Sequence, residues 1–583
     1  MVGFGLEAGR LSNSMRRRLA WAFAGLLTLG TGAAMAQTVP PPAAEPGRVT
    51  PELTPPPTPQ AQPGVQAPLP EQPVPPGATE VKFVLKDVTF DGATVYNPED
   101  LRPLYADMVG KEVSLADIYA VARRATVKYR SDGYILSQVF VPPQDVKEGV
   151  VRLQVVEGFV DKVTIEGDVQ GRRDILEAYG ERIKASRPLK ASELERWLLL
   201  AGDLAGVTAR GVLSPSQTTP GASDLAIVVE HKGFDAFAKI DNRGSRFIGP
   251  WLFVFGGQAN SLLGQYEQIS LIAATAWEPE ELQYGSATVA LPVDHDGTTL
   301  SFTVSGSHSN PGFTLEKQNI DSATVEGTID LSHAFIRTRE QNLTLGLSFT
   351  VREVDTDQHQ QPIIDDSLRI VRLHGSYDFV DSVVGDVLGS GWQAVNLIQG
   401  ELSQGIDVFG ASEHGDSKLS RPEADGEFTK FVGTLSRLQG LGVPGLNLYL
   451  AGTGQVSSDP LLSSEEFGVG GSTFGRGYDP SEITGEDGVA TTVELQYGDT
   501  VDLSYLQSYQ FYAFWDFGKV YNLDTPGVDD DISLSSVGGG IRVNFIPEIS
   551  GNFEVAQQLT RVSASSDDGD KETRFLFGLT GRW

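Results

Sequence analysis

The sequence predicts a multidomain protein, with two small α+β units followed by a C-terminal transmembrane antiparallel β-barrel of about sixteen strands. Three observations carry this expectation. A secretory leader opens the chain, a β-α-α-β-β order occurs twice before residue 233, and the region after it shows strand-period alternation without helical spacing.

The leader is read from charge and hydropathy. Met15 with Arg16, Arg17 and Arg18 makes a basic start, residues 19–29 are mostly apolar, and Ala34-Met35-Ala36 before Gln37 has the small-x-small form of a cleavage site. The expected signal peptide is therefore residues 1–36, with initiation at Met15. Its apolar run is too short to span a bilayer, and no later segment offers about eighteen uncharged apolar residues. A membrane position for the mature chain then requires a closed barrel, because lipid satisfies no free backbone group. The absence of Cys (count 0) suits passage through an oxidising compartment. A net charge of −31 argues against a nucleic-acid partner and reads as solubility and extracellular exposure. Residues 37–79, with Val39-Pro40-Pro41-Pro42 and Thr54-Pro55-Pro56-Pro57, read as an extended linker.

The first α+β unit is placed at residues 80–157. Val81, Phe83 and Leu85 alternate as in a strand, and Val88-Thr89-Phe90 continues to the turn at Gly92. Asn97 and Pro98 start a helix with an apolar face of Leu101, Leu104, Tyr105 and Met108. Ser114 caps a second helix, whose face is Leu115, Ile118, Ala122, Ala125 and Tyr129. Strands at 134–141 and 150–156 complete the unit. The second unit, residues 158–232, repeats the order: Val163-Thr164-Ile165 with Gly167 parallels Val88-Thr89-Phe90 with Gly92, Ser192 is read as a helix cap, and strands follow at 207–213 and 225–229.

Residues 233–583 alternate at period two in segments of about ten, the pattern of a transmembrane barrel. Phe575, Phe577, Leu579, Gly581 and Trp583 share one face of the last segment, and Phe511, Ala513, Trp515 and Phe517 share one face of an earlier one. The same alternation points Phe514, Asp516 and Gly518 inward. Asp529-Asp530-Asp531 and Asp567-Asp568 read as solvated loops, without the spacing of a calcium loop. The seven His show no paired zinc spacing, and neither a phosphate-cradling loop nor a nucleophile elbow occurs. The expectation is a non-enzyme with no metal, cofactor or small-molecule substrate.

Several motifs resemble a known family. Tyr129-Arg130-Ser131-Asp132-Gly133-Tyr134, Val139-Phe140-Val141-Pro142-Pro143-Gln144, Asp241-Asn242-Arg243-Gly244-Ser245, Gly470-Gly471-Ser472-Thr473-Phe474-Gly475-Arg476-Gly477-Tyr478 and Phe514-Trp515-Asp516-Phe517-Gly518 are similar to those of the TpsB transporters of two-partner secretion, the ShlB/FhaC/HecB group of the BamA-like superfamily. The resemblance covers about residues 81–583 and implies that the two units are periplasmic POTRA domains of a Gram-negative outer-membrane protein. It implies a pore loop tipped by Arg476, Gly477 and Tyr478, with Arg476 set against Asp516 in the wall motif of Phe514, Asp516 and Gly518. Gly475 departs from the pattern, since many members carry a bulky aliphatic residue there. The implied function is capture of an unfolded exoprotein, a TpsA-like β-helical adhesin or haemolysin, and its export through the barrel. The candidate capture edge is the strand at 134–141, with Tyr134, Leu136, Val139 and Val141. An outer-membrane assembly factor of the same superfamily is the alternative, and a passive porin a third reading. Assembly factors typically carry three or more POTRA units, whereas this chain has space for two.

Overall fold

The computed structural model describes residues 41–45, 48, 60, 73–146, 148–389, 391–523, 531–566 and 569–583. The leader, most of the linker, Asp529, Asp530, Asp567 and Asp568 lie outside the described residues.

Each α+β unit builds a three-stranded sheet with the same pairing. In the first, the strand Val150–Val156 lies between Asp87–Asp91, to which it runs parallel, and Gln138–Phe140, to which it is antiparallel. In the second, Ala222–His231 lies between Phe159–Gly167 and Val207–Pro215 in the same two senses. The helix Leu115–Ser131 starts at a capping box in which Ser114 and Asp117 satisfy each other's backbone N–H. Its buried face, Ile118, Val121, Ala122, Ala125 and Tyr129, covers the first sheet. The helices Arg173–Ala185 and Ala191–Gly202 cover the second through Ile175, Leu176, Tyr179, Ile183, Trp197 and Leu200. Two local expectations need correction. The helix after Asn97 spans only Pro98–Leu101 and breaks into 3-10 turns, because Pro103 supplies no N–H to continue the ladder. Ser192 lies inside the helix that begins at Ala191, after Lys190.

Glu157 fastens the end of the first unit to its start. It accepts from the backbone N–H of Thr94 (2.7 Å) and Val95 (2.9 Å), from the Thr94 hydroxyl, and from the phenol of buried Tyr129 (2.8 Å). Burial alone would push the carboxyl up, but these donors outweigh it and hold Glu157 below the ordinary glutamate value. Burial and the same contact push the Tyr129 phenol up. The stability this gives is present above the unfolded glutamate value of 4.5 and is lost as pH falls through the lower folded value. Glu157→Gln is expected to destabilise the first unit by about 1–2 kcal/mol at neutral pH. Protease cleavage within residues 80–157 should be faster in the variant at pH 7, and the difference should shrink as pH falls below the unfolded glutamate value and through the lower folded one.

Sixteen strands close the barrel among the described residues, the last, Thr573–Arg582, pairing with the first, Phe234–Asp241. No helix among the described residues is long and apolar enough to cross a membrane. The alternation read from the sequence sets the two surfaces: Phe511, Trp515, Val537, Phe553, Phe575 and Leu579 are exposed outside, while Tyr512, Phe514, Asp516, Glu554 and Leu576 are buried inside. Strands run from 8 residues at Phe234–Asp241 to 21 at Gln361–Asp381. About ten suffice to span a bilayer, so the long strands project beyond it at the end carrying the longer loops.

The second unit docks on the short-turn end. Arg337 grips Asp203 through two hydrogen bonds of 2.7 and 2.8 Å, and Arg196 donates to the carbonyls of Ala334 (2.9 Å), Phe335 (3.1 Å) and Asp296 (3.3 Å). At the long-loop end, part of the linker segment is seated. Ala43 and Ala44 are buried against Phe247, Leu315 and Ile320, Ser245 donates to the Ala43 carbonyl (2.6 Å), and Arg48 pairs with Glu466 (3.1 Å).

Candidate functional site

Between the barrel strands Leu446–Ser457 and Asp487–Leu503 the chain turns back into the lumen as a hairpin. Its neck is a two-stranded pairing of Phe467–Val469 with Ile483–Gly485. Phe467, Val469, Tyr478 and Ile483 pack on Ala490, Val520 and Leu534 of the wall. The hairpin can lie this close because Gly518 presents no side chain; a Cβ there would come within 2.3 Å of Val469. The departure at Gly475 has a backbone cause. Its φ of +83° lies in the left-handed region, and a Cβ would meet Leu534 at 2.8 Å, so a bulky aliphatic residue does not fit this geometry.

The structure brings Arg476 and Asp516 together. Asp516 is fully buried on the strand Leu506–Tyr521, with its side chain in the lumen. Its Oδ2 accepts from the backbone N–H of Gly475 (3.2 Å) and Arg476 (2.9 Å) and from Arg476 Nε (3.0 Å), and its Oδ1 accepts from Nη2 (2.8 Å). The carboxylate therefore grips the hairpin backbone as well as the guanidinium. Arg476 also reaches Glu494 (2.5 Å) and Thr492 (2.9 Å), and its guanidinium stacks 3.4 Å over the Phe514 ring. The Tyr478 hydroxyl accepts from Arg561 N–H (3.2 Å) and lies 3.1 Å from the Ser535 carbonyl, while Gln558 donates to the Gly477 carbonyl (2.9 Å). Asp479 pairs with Arg574 of the last strand (2.9 Å).

Sequence reasoning missed the remainder of this network. Glu494 is shared with Arg542 (2.7 Å), and Glu554 holds Arg243 (3.2 Å) and the Tyr512 hydroxyl (2.9 Å). A signal for Glu494 was present: it has the opposite parity to Val493, Leu495 and Tyr497 of its strand, all exposed outside, so it must face inward.

The proposed capture residues are placed differently from the expectation and need correction. The strand expected at 134–141 shrinks to Gln138–Phe140. Val139 and Val141 belong to the core of the first unit, Leu136 packs on the core of the second, and Tyr134 sits among Tyr96, Tyr129 and Lys190. The backbone N–H of Val139 already donates to Thr126 Oγ1 (3.0 Å), because the helix Leu115–Ser131 covers that edge. These side chains do not present a free surface to a client.

Comparison with known proteins agrees with this architecture. Residues 83–158 match the model of a ShlB-type POTRA domain, and residues 221–543, more than half of the chain, match that of the haemolysin secretion/activation protein ShlB/FhaC/HecB. The heme/hemopexin transporter protein HuxB of Haemophilus influenzae (strain 86-028NP) is 23% identical over 484 residues, covering 82% of this chain and 83% of that protein. The outer membrane transporter CdiB of Dickeya dadantii (strain 3937) is 24% identical, covering 79% and 80%. The solved structure of CdiB from Escherichia coli shares the fold, with a TM-score of 0.69 at 20% identity over 89% of this chain and 94% of that one. With its POTRA domains in the periplasm and its barrel in the outer membrane, the chain belongs to the ShlB/FhaC/HecB family of two-partner secretion transporters.

Proposed function

We propose that an unfolded exoprotein docks as an added strand on the second POTRA domain and passes through the barrel as the Arg476 hairpin leaves its seat on Asp516. The observation that supports this most is the hairpin's attachment. Its tip is held to the wall by side-chain contacts that a mobile loop can break, while the barrel's backbone ladder does not depend on it. Transport in a compartment without nucleotide then draws on the client's folding outside. We read that client as a TpsA-like adhesin or haemolysin.

The docking edge in this reading is Val207–Pro215. It pairs only with Ala222–His231 among the described residues, and its solvent side is open. The ladder fixes which groups point outward. Lys232 N–H donates to Gly206 and Ser216 N–H to Ala222, so even-numbered residues of the strand bond inward, and Ala209, Gly211 and Leu213 turn their backbone groups to solvent. Backbone pairing along such an edge gives affinity without demanding one client sequence. Gly206, just before the strand, lies against Asn260 of the barrel, so the edge begins at the pore entrance.

A disulfide tests the hairpin's movement. A Cβ on Gly477 would lie 2.9 Å from Ser536 Cβ, within a small shift of disulfide geometry, and the chain has no other Cys. In the double variant Gly477→Cys, Ser536→Cys, export is expected to stop under oxidation and resume on reduction. Full export with the cross-link formed would end the proposal that this hairpin moves.

A further inference from the structure

We infer that Arg352, Arg372 and Lys430 form a carboxylate-binding site on the pore wall, filled at rest by Glu465 of the hairpin and used by acidic residues of the client during passage. The inference rests on the reading that the hairpin moves, but its evidence is a separate cluster from the Arg476 seat.

Glu465 ends the short 3-10 turn Ser463–Glu465 at the start of the inward excursion and is 3% exposed. Its Oε1 meets Arg352 Nη1 (2.6 Å) and Arg372 Nη2 (2.8 Å), and its Oε2 meets Lys430 Nζ (2.6 Å). The cations come from three wall strands, Gln341–Gln358, Gln361–Asp381 and Thr429–Gly440. The wall also grips the backbone of the turn. Lys430 Nζ (2.8 Å) and Gln455 Nε2 (3.2 Å) donate to the Glu465 carbonyl, and Arg352 Nη1 donates to the Ser464 carbonyl (3.2 Å). A point charge would be satisfied by the cations alone. Donors to two consecutive carbonyls as well fit the site to an acidic residue within a polypeptide.

Charge pairing makes Glu465 a replaceable ligand. Arg352 has a wall carboxylate in Glu326 (2.5 Å) and Arg372 has one in Glu401 (3.2 Å). Among the described residues Lys430 makes its ion pair with Glu465, and the three cations of the cluster face two wall carboxylates, Glu326 and Glu401, so one positive charge is left for the hairpin to balance. The Arg476 seat has the opposite balance: Asp516, Glu494 and Glu554 face Arg542 and Arg243, and Arg476 supplies the missing positive charge. Glu465 and Arg476 of the hairpin thus each cancel a surplus of opposite sign on a different sector of the wall. Its departure leaves a positive sector and a negative one, and buried charges of this kind demand new partners. A passing chain with acidic and basic residues supplies both without binding either so tightly that it cannot leave.

The test uses the purified full chain in planar lipid bilayers, with a KCl gradient and hexaglutamate peptide as the probe. E465Q is expected to shift selectivity toward anions and to be blocked by hexaglutamate at about tenfold lower concentration than the parent chain, the change that one charge-assisted contact supplies. K430Q alone, which leaves Glu465 in place, should shift selectivity toward cations. The triple variant E465Q, R372Q, K430Q should lose the enhanced block. Heat-modifiable migration in gels checks that each barrel is folded, and E465D, which keeps the charge, should behave as the parent. Parental selectivity and block in E465Q, or a block that survives in the triple variant, overturns the site. That outcome would leave the disulfide result standing, whereas full export with the cross-link formed would remove the hairpin's movement whatever the bilayer shows.

Discussion

Arg476→Ala is expected to reduce export at least about tenfold while leaving the barrel closed and inserted. The argument is one of uncompensated charge. Arg476 is the hairpin cation whose side chain donates to both oxygens of Asp516, and it also donates to Glu494 and Thr492. Removing it leaves a fully buried carboxylate with only two backbone donors, Gly475 and Arg476 N–H. Breaking one side of such a pair costs about 3–5 kcal/mol. That cost falls on the hairpin's seat, since the wall strands keep their ladder of backbone hydrogen bonds. Arg476→Lys should recover little, because an ammonium cannot bridge Asp516, Glu494 and Thr492 at once or stack on Phe514. Immunoblots of the exoprotein in the medium, beside heat-modifiable migration of the barrel, separate the two effects. Parental secretion by Arg476→Ala would remove the hairpin seat from the transport cycle.

The barrel is legible in the sequence because its physics is local. Each strand must place apolar groups on lipid and polar groups in the lumen, so parity alone puts Phe575 outside and Asp516 inside. The two α+β units are legible for a similar reason, since Ser114 with Asp117 and the face from Ile118 to Tyr129 lie within one helix. What the sequence hides is non-local. Nothing near Glu465 announces Arg352, Arg372 and Lys430, which are drawn together by closure of the barrel and not by spacing. Likewise nothing in Val139 announces that Thr126, thirteen residues earlier on the covering helix, consumes its N–H. The apolar strand at 134–141 looked like a binding surface because core residues and client-binding residues have the same composition. Only the tertiary fold separates them.

The second large effect expected is on client capture. Ala209→Pro should weaken binding of the exoprotein's N-terminal region by about tenfold or more, with barrel folding unchanged. Proline lacks the backbone N–H that Ala209 turns to solvent, and the inward bonds to Ala222–His231 come from even-numbered residues, so that ladder is preserved. Edge strands tolerate proline where the missing donor faces solvent, which makes this a block of strand addition and not of folding. Ala209→Val keeps the N–H and favours extended backbone, so it should bind as the parent does. Arg210→Pro is the contrasting variant: its N–H belongs to the internal ladder, so it should loosen the second POTRA domain itself and raise its protease sensitivity. Pull-down with the client's N-terminal region measures all three. Equal capture by Ala209→Pro and the parent would place the client elsewhere. Loss of capture with protease resistance intact, and retention by Ala209→Val, would locate docking in the backbone of this one edge.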